Sequence, residues 1–528
     1  MTSEQRKAPV DAYDELFYQS LCLPRTHPDH LAALGRLMGL DTADPEGCRV
    51  LELGCASGGN LIPMAYRLPK GTFVGVDLSV EQIAAGRCFA DGLGLGNIDL
   101  RAADIANLRD GLAEFDYVIA HGVYSWVSDA VRLAMLALAR RVLAPNGLFY
   151  VSFNTLPGWR LRGMLIDILQ DAGRGESDAA ARLSAAQAAL TRLERALPGL
   201  PGLSAEYLRA EIANLRALHP TYLYFEYLAE HNRAFLFREF LTDIEGQGLR
   251  YLCDANLHRQ FPATLGDTVD AALADLSDGA DLEQWLDFVG NRNFRESLLI
   301  RDDADCDEQL SLERFAGLCF SADLSPPPTL DLRDGAAAAF RRADGESVDV
   351  QHPLTKALLS DLAARYPEAL MLAHLLSAAQ HRVQCAGGDR AGEVDALLAE
   401  LFSLFARGFL RARIRPRRLG RGIAQRPCAT TLARTQVSSG QDSVATVDHG
   451  SLGVDGLAAS LIGYLDGKRT LPDVVEQLAS DLESGALRPD DDAPCNWTTG
   501  SRHSVAQACN ELVAMFWRYG LLEQSCDD

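Results

Sequence analysis

The first third of the chain predicts an α/β fold built on a doubly wound parallel sheet, and three observations carry that prediction. Short apolar runs alternate with helical patterns, a glycine-rich turn follows the first run, and carboxylates stand at the ends of successive runs. In order, 49–54 reads as a strand, 60–68 as a helix, 72–77 as a second strand and 80–92 as a helix. Residues 97–101 and 115–121 read as a third and fourth strand, 130–143 as a helix and 147–153 as a fifth strand. Strands and helices in alternation give a parallel sheet covered on both faces, because parallel neighbours need crossover helices and right-handed crossovers place them on both sides.

After residue 153 the rhythm changes. Residues 161–218 are Ala/Leu/Arg-rich with helical apolar spacing, interrupted between Pro198 and Pro201, and are expected to form a helical insertion. A helix at 234–247 and strands at 250–253 and 294–300 are expected to complete the sheet, with an antiparallel last strand as one option. The prolines at 326–328 mark a linker, since they cannot continue a helix or a central strand. Beyond it, 352–400 is helical and 409–418 alternates Arg with apolar residues like an exposed strand or wing. Residues 435–447 read as loop and strand, and 454–522 as a helical block broken at 487–501.

With 528 residues the chain can hold three or four folding units of ~150 residues. Hydrophobic content of 48% and charged content of 23% belong to a globular protein and exclude wholesale disorder. A net charge of −22 argues against non-specific nucleic-acid binding, which needs a basic surface, and leaves a basic peptide open as partner. The stretch before Tyr18 is polar and has no apolar secretory core, and no apolar run reaches the ~20 residues of a membrane-spanning helix. A cytoplasmic protein without membrane insertion is expected. Twelve cysteines without a CxxC pair argue against zinc ribbons and thioredoxin-type redox chemistry, and no metal is expected.

The strongest local signal is Val50-Leu-Glu-Leu-Gly-Cys-Ala-Ser-Gly-Gly-Asn60. Gly54 and Gly58 permit a tight turn and close backbone approach to a ligand, and the N–H groups at the start of the next helix face an anion. Gly54, Ala56 and Gly59 also fit a degenerate G-x-G-x-x-G, so a dinucleotide site stays open on this stretch alone. Asp77 closes the second strand, where a carboxylate can accept from two ribose hydroxyls. Asp104 follows the third strand, within reach of an exocyclic amine, and Glu52 lies at the floor of the same crevice.

Glu52 to Gly58, Asp77, Asp104-Ile105, Phe115-Asp116 and the Ala144-Pro-Asn-Gly147 turn together resemble the class I S-adenosylmethionine-dependent methyltransferases. The resemblance implies a Rossmann-like sheet of seven strands with an antiparallel last strand, which suits 294–300. It implies S-adenosylmethionine as cofactor, with Gly54, Cys55, Ala56 and Gly58 at its amino-acid end, Asp77 at its ribose, and Asp104 and Ile105 at adenine. Thr26, Glu52, Asn60, Leu78 and His121 are the remaining cofactor contacts it implies. Ala56 stands where the common pattern has glycine.

Longer runs narrow the family. Cys48 to Leu61, His121-Gly-Val-Tyr-Ser-Trp-Val127 and Ser152-Phe-Asn-Thr-Leu-Pro-Gly-Trp159 are similar to bacterial protein-lysine methyltransferases, of which the best known act on rickettsial outer-membrane proteins. Residues 222–226, 237–240 and 293–299 resemble the segment called a methyltransferase regulatory domain, and Thr26-His-Pro28 resembles a lead-in that covers the cofactor. From about residue 349 the likeness is to a winged-helix-like domain. The division implied is a covering segment at 1–45, a methyltransferase core at 46–160, an insertion and regulatory segment at 161–305, a linker at 306–345, a winged-helix-like domain at 346–425 and a C-terminal domain at 426–528.

Methyl transfer from a sulfonium is an in-line displacement, so alignment and desolvation supply most of the catalysis. A lysine acceptor, with a reference pKa of ~10.4, must first lose its proton, and an apolar, aromatic channel favours the neutral amine. The expected catalytic residues are His121, Tyr124 and Trp126 after the fourth strand, Asn154 after the fifth, and Tyr224 and Glu226 in the inserted region. His121 would orient or accept a proton and Glu226 would bind the incoming ammonium, with core packing as the competing role for each aromatic. Arg407, Arg411, Arg413, Arg415, Arg417, Arg418 and Arg421 form the one basic run, read as a solvated strand and linker ahead of a grip on nucleic acid or an acidic protein surface. Methylation of a small molecule on oxygen or nitrogen, and a non-catalytic cofactor-sensing scaffold, are the alternative functions.

Overall fold

The computed structural model describes residues 18–108, 111–176, 178–217, 220–229, 231–276, 279–333, 335–385, 394–418, 422–487 and 502–523. The polar stretch before Tyr18, Arg421 and most of the expected break at 487–501 lie outside them. The central sheet has seven strands: β1 (Arg49–Leu53), β2 (Thr72–Asp77), β3 (Ile98–Ala102), β4 (Phe115–Ala120), β5 (Leu143–Asn154), β6 (Leu249–Asp254) and β7 (Phe294–Arg301). Their order is β3-β2-β1-β4-β5-β7-β6, and β7 runs antiparallel to both β5 and β6. The chain order reverses between β1 and β4, which opens a crevice at the carboxyl ends of these strands.

Period-two alternation inside the strands assigns the faces of the sheet. Val50, Tyr117, Ile119, Leu148 and Tyr150 are buried on one side, and Leu51, Leu53, Val118, Ala120, Phe149 and Val151 on the other. Helices Leu61–Arg67, Val80–Gly92 and Asp129–Val142 cover the crossovers. Ser79 and Ser128 start the last two by accepting from Gln82 and Val131 N–H.

The insertion comprises Trp159–Ala172, Ala179–Ala196 and Leu203–Arg216, with an apolar cluster of its own that extends to Leu223, Tyr224, Phe225 and Tyr227. The 306–345 stretch differs from the expected linker. It carries the helix Leu312–Ala316 and the strands Cys319–Ser321 and Leu324–Ser325, with Ala338–Arg342 closing on the latter. Phe315, Phe320 and Phe340 are buried in the same cluster as Val50 and Ile119, so apolar burial holds this stretch against the sheet while its prolines occupy the turn.

Arg411–Arg413 is not an exposed strand: it pairs with Cys319–Ser321, and Phe409, Leu410 and Ala412 are buried beside it. Of residues 435–447, expected as loop and strand, the strand is present at Ser443–Ala445 while the first part is helical. Thr430 caps a helix, Thr431–Ser438, that buries Leu432, Ala433 and Gln436, and a hairpin, Ser443–Ala445 with Ser451–Gly453, follows. Helices Gly456–Tyr464, Leu471–Ser484 and Arg502–Arg518 pack with it around a separate apolar cluster. No helix among the described residues is long and apolar enough to cross a membrane.

Candidate active site

The glycine-rich turn leaves β1 through three left-handed residues, Gly54 (φ +76°), Ala56 (φ +49°) and Gly58 (φ +78°). Gly54 and Cys55 N–H both donate to Val76 O, at 2.8 and 3.1 Å, and so hold the turn against β2. A Cβ on Gly54 would stand 2.5 Å from Val123 Cγ2, so this position is closed to larger residues. Ala56 tolerates its conformation because its N–H donates to Asp77 Oδ2 at 2.8 Å. Asp77 Oδ1 accepts from Ser79 N–H at 3.0 Å, so one carboxylate ties together the turns that follow β1 and β2. The Cys55 thiol is buried, and burial pushes its pKa up, so this residue lines the turn through its backbone.

Glu52 lies 3% exposed under the turn. Its Oε1 accepts from Asn60 Nδ2 at 2.8 Å, while Oε2 is buried without a partner. Burial pushes the Glu52 pKa up to about 8. Asn60 Nδ2 also donates to Thr26 Oγ1 at 3.0 Å, and Asn60 Oδ1 accepts from Leu23 N–H at 3.0 Å. Gly59 N–H donates to Ser20 Oγ at 2.9 Å, so the segment before the helix Pro28–Leu37 straps over the turn. The structure therefore brings Thr26, Glu52 and Asn60 into one hydrogen-bonded set and ties Gly54, Ala56 and Gly58 of the adjoining turn to its own backbone, Val76 and Asp77.

Asp104 stands after β3, where Oδ1 accepts from Ala106 N–H and Oδ2 from Asn107 Nδ2, both at 2.8 Å. Ile105 is half-buried beside it, and Leu78, directly after Asp77, presents an apolar side chain that is 58% exposed. Acidic and apolar groups thus flank the carboxyl ends of β2 and β3.

His121 follows β4, with Nδ1 3.0 Å from Tyr150 Oη. Tyr150 gives its single hydroxyl proton to Glu296 Oε1 at 2.8 Å, so His121 Nδ1–H donates and Nε2 is the bare nitrogen. Arg25 closes the chain with Nε 2.7 Å from Glu296 Oε2. Burial lowers the His121 pKa and keeps the ring neutral. At the end of β5, Asn154 Nδ2 donates to Asn232 Oδ1 at 3.1 Å, and Asn232 Nδ2 donates to the Glu226 carbonyl at 2.7 Å. Asn154 Oδ1 is buried with no partner. Trp126 and Trp159 meet edge to face at 6.4 Å, and the Arg162 guanidinium lies 5.1 Å over Trp159. Burial pushes Glu226 up to about 7, opposed by Arg162.

Tyr124 and Tyr224 are placed elsewhere. The Tyr124 ring is buried among Phe153, Phe235 and Phe240, and its hydroxyl donates to Asp243 Oδ2 at 2.7 Å. Tyr224 belongs to the core of the insertion, with the Arg182 guanidinium 5.6 Å from its ring. Sequence reasoning missed Tyr150, Arg25 and Glu296. Tyr150 reads as core in an apolar strand, and Arg25 and Glu296 meet across 271 positions only in the fold. It also misread the arginine run. Arg413 pairs with Asp29 at 2.8 Å, Arg415 with Asp44 and Glu46, and Arg411 and Arg417 with Asp448.

Comparison with known proteins adds to this geometry. A family model for a methyltransferase domain matches residues 50–147, and one described as a predicted methyltransferase regulatory domain matches 219–301. The PKMT C-terminal winged helix domain matches 425–521, a later stretch than the 346–425 expected for it. An uncharacterized protein of Rickettsia prowazekii is 29% identical over 488 residues, 91% of this chain and 88% of the relative. A second uncharacterized protein of that organism is 31% identical over 247 residues, 47% of this chain and 99% of the relative. Among solved structures, PKMT2 of Rickettsia typhi superposes with a TM-score of 0.82 at 24% identity, covering 96% of this chain and 99% of that one. The same protein in complex with AdoHcy gives a TM-score of 0.81 at 24% identity with the same coverage.

Proposed function

Since the chain belongs to the class I S-adenosylmethionine-dependent methyltransferases that join a methyltransferase domain to a regulatory domain and a PKMT-type winged helix, we propose that its acceptors are lysine side chains of a protein. The residues at the carboxyl edge fit the cofactor. The unpartnered Glu52 Oε2 suits the ammonium of its amino-acid end, and a turn closed to a Cβ at Gly54 leaves that end room beside Ala56 and Gly58. Asp77 stands at the end of β2 where a carboxylate meets ribose hydroxyls, Asp104 stands after β3 where it meets the adenine amine, and Leu78 and Ile105 offer apolar faces to the base. When bound, S-adenosylmethionine supplies a sulfonium methyl group open to direct displacement by a neutral nucleophile.

The observation that carries the lysine reading is the mouth beside β4 and β5. There Asn154 Oδ1 is buried without a partner, its amide is tied through Asn232 to the backbone of Glu226, whose carboxyl is raised by burial, and Trp126 and Trp159 follow the same two strands. An ammonium entering it finds Asn154 and Glu226 as acceptors and the faces of Trp126 and Trp159 as cation–π partners. His121 Nε2, held bare by the Tyr150–Glu296–Arg25 chain, takes the proton that the amine must lose, and water-poor walls favour the neutral amine.

The test is transfer of labelled methyl from S-adenosylmethionine into a cell lysate, separating acid-precipitable from soluble counts. Precipitable counts that hydrolyse to methyl-lysine are expected. Counts confined to the soluble fraction would replace lysine by a small-molecule acceptor. Cofactor binding without counts in either fraction would favour a sensing scaffold.

A further inference from the structure

We propose that the β-hairpin of the C-terminal domain is a working part of the cofactor site, with His449 as a positioning residue that fixes Asn60 and, through it, the carboxylate of Glu52. The inference rests on the reading of the β1 turn as the S-adenosylmethionine site.

The hairpin pairs Ser443–Ala445 with Ser451–Gly453. Its connecting turn is closed by Thr446 N–H to Gly450 O at 2.8 Å, Gly450 N–H to Thr446 Oγ1 at 2.9 Å and His449 N–H to Thr446 O at 3.0 Å. His449 takes φ +58°, a left-handed conformation unusual for a residue with a Cβ. The imidazole, 1% exposed, reaches the β1 turn: Nε2 stands 2.7 Å from Asn60 Oδ1, and the ring lies 5.0 Å from that of His27. Burial keeps both rings neutral, so His449 has one N–H to give. Its Nδ1 is buried without a partner, which leaves Nε2–H as the donor to Asn60.

That donation joins the Leu23 N–H in settling which way the Asn60 amide points. Oδ1 accepts from His449 and from Leu23 N–H, while Nδ2 donates to Glu52 Oε1 and Thr26 Oγ1. A reversed amide would oppose donor to donor on one side and leave Glu52 facing an oxygen on the other. His449 therefore makes the orientation that holds Glu52 the favoured one, and Glu52 keeps Oε2 directed to the ligand.

The hairpin is anchored so that it can do this. Asp448, the residue before His449, accepts from Tyr366 Oη at 2.7 Å and pairs with Arg411 and, at 2.5 Å, with Arg417. Although burial pushes its pKa up, Arg417 and Arg411 outweigh burial and hold it well below the usual carboxylate range. On the other side Arg67, at the end of the helix that the glycine turn starts, donates from Nη2 to Ala445 O at 3.1 Å. Ala445 also packs with Cys22 of the strap and Leu432. One hairpin thus touches the strap, the helix and the amide that orders the turn, and whatever displaces it changes cofactor affinity.

The experiment titrates S-adenosylmethionine and S-adenosylhomocysteine into the full chain by calorimetry, with melting temperatures of the ligand-free proteins alongside. Gln at 449 can place an amide N–H where the imidazole Nε2 stands, whereas Asn is too short. His449→Ala and His449→Asn are expected to weaken binding about tenfold, and His449→Gln to stay within about threefold of wild type. With saturating cofactor, kcat stays near the wild-type value in all three while the KM for cofactor follows the dissociation constant. Should the Ala variant fail to fold, the Gln and Asn pair decides. Equal affinity in all variants, or equal loss in Gln and Asn that tracks a lowered melting temperature, would overturn the inference and leave the site reading standing. A wild-type chain that binds neither ligand would overturn both.

Discussion

Glu52 is a carboxyl whose charged form the ligand-free fold disfavours. Its folded pKa, about 8, lies above the ~4.3 of an unfolded glutamate. Its contribution to stability is therefore complete below the unfolded value and is lost as pH rises through about 8. Glu52→Gln is expected to stabilise the ligand-free protein above that range, by up to roughly 5 kcal/mol, and to change nothing near pH 4, as followed by denaturant melts across pH. A cationic ligand end beside Oε2 favours the carboxylate, so cofactor binding at neutral pH should release a proton. Calorimetry in buffers of different ionisation enthalpy would detect it, and Glu52→Gln should abolish it. Two tyrosines of the same neighbourhood should part company. Tyr150→Phe removes the acceptor for His121 Nδ1–H and frees the ring to change tautomer, so kcat should fall at least about tenfold and its pH profile shift, with cofactor affinity kept. Tyr124→Phe loses only the bond to Asp243 inside a packed cluster, so it should lower stability by about 1–2 kcal/mol and leave turnover unchanged. From sequence both rings were aromatic residues on or after a strand. Which one meets the crevice depends on the sheet face and on Phe235 and Phe240, which arrive from far along the chain.

At the scale of elements, β6 and β7 are joined by charge in their interior. Arg295 is fully buried between Asp254, Glu283 and Asp287, at 3.1, 2.9 and 2.9 Å, with its guanidinium 4.1 Å from the centre of the Phe237 ring. Arg292 shares Asp254 and Asp287. Removing one member leaves buried charge uncompensated, so Arg295→Ala should cost at least about 3 kcal/mol, read from chemical denaturation, and should loosen β7 against β5 by hydrogen exchange. The sheet itself was legible because its strands are continuous apolar runs bounded by turn residues, and even β7, Phe294–Arg301, was placed. The helix Thr431–Ser438 was not, since Thr, Gln and Ser carry no apolar stripe and its formation depends on the Thr430 cap and on a partner domain. The 306–345 stretch was read through its prolines, while Phe315, Phe320 and Phe340, which anchor it, signal nothing until the sheet face they cover exists.

Across the whole molecule, the arginine run works inward. Arg413 binds Asp29 of the first helix, Arg415 binds Asp44 and Glu46 ahead of β1, and Arg411 and Arg417 hold the hairpin residue Asp448. These pairs absorb much of the basic character of the second half. A chain of net charge −22 whose arginines are so engaged presents an acidic exterior, which attracts cationic partners from a distance. For a basic protein acceptor kcat/KM should drop about tenfold as salt rises from ~50 to ~500 mM, while cofactor affinity stays nearly constant. An acceptor whose methylation ignores salt would remove the acidic exterior from the account of recognition.

The contact between His449 and Asn60 spans 389 positions of the chain. During synthesis the glycine turn leaves the ribosome long before its hairpin exists, so the sheet can close early while the amide above Glu52 is still unordered. A message truncated just ahead of codon 449 would yield a chain with all seven strands of the sheet and a slack grip on S-adenosylmethionine. Such a shortened copy would need more cofactor than the finished one to reach the same occupancy.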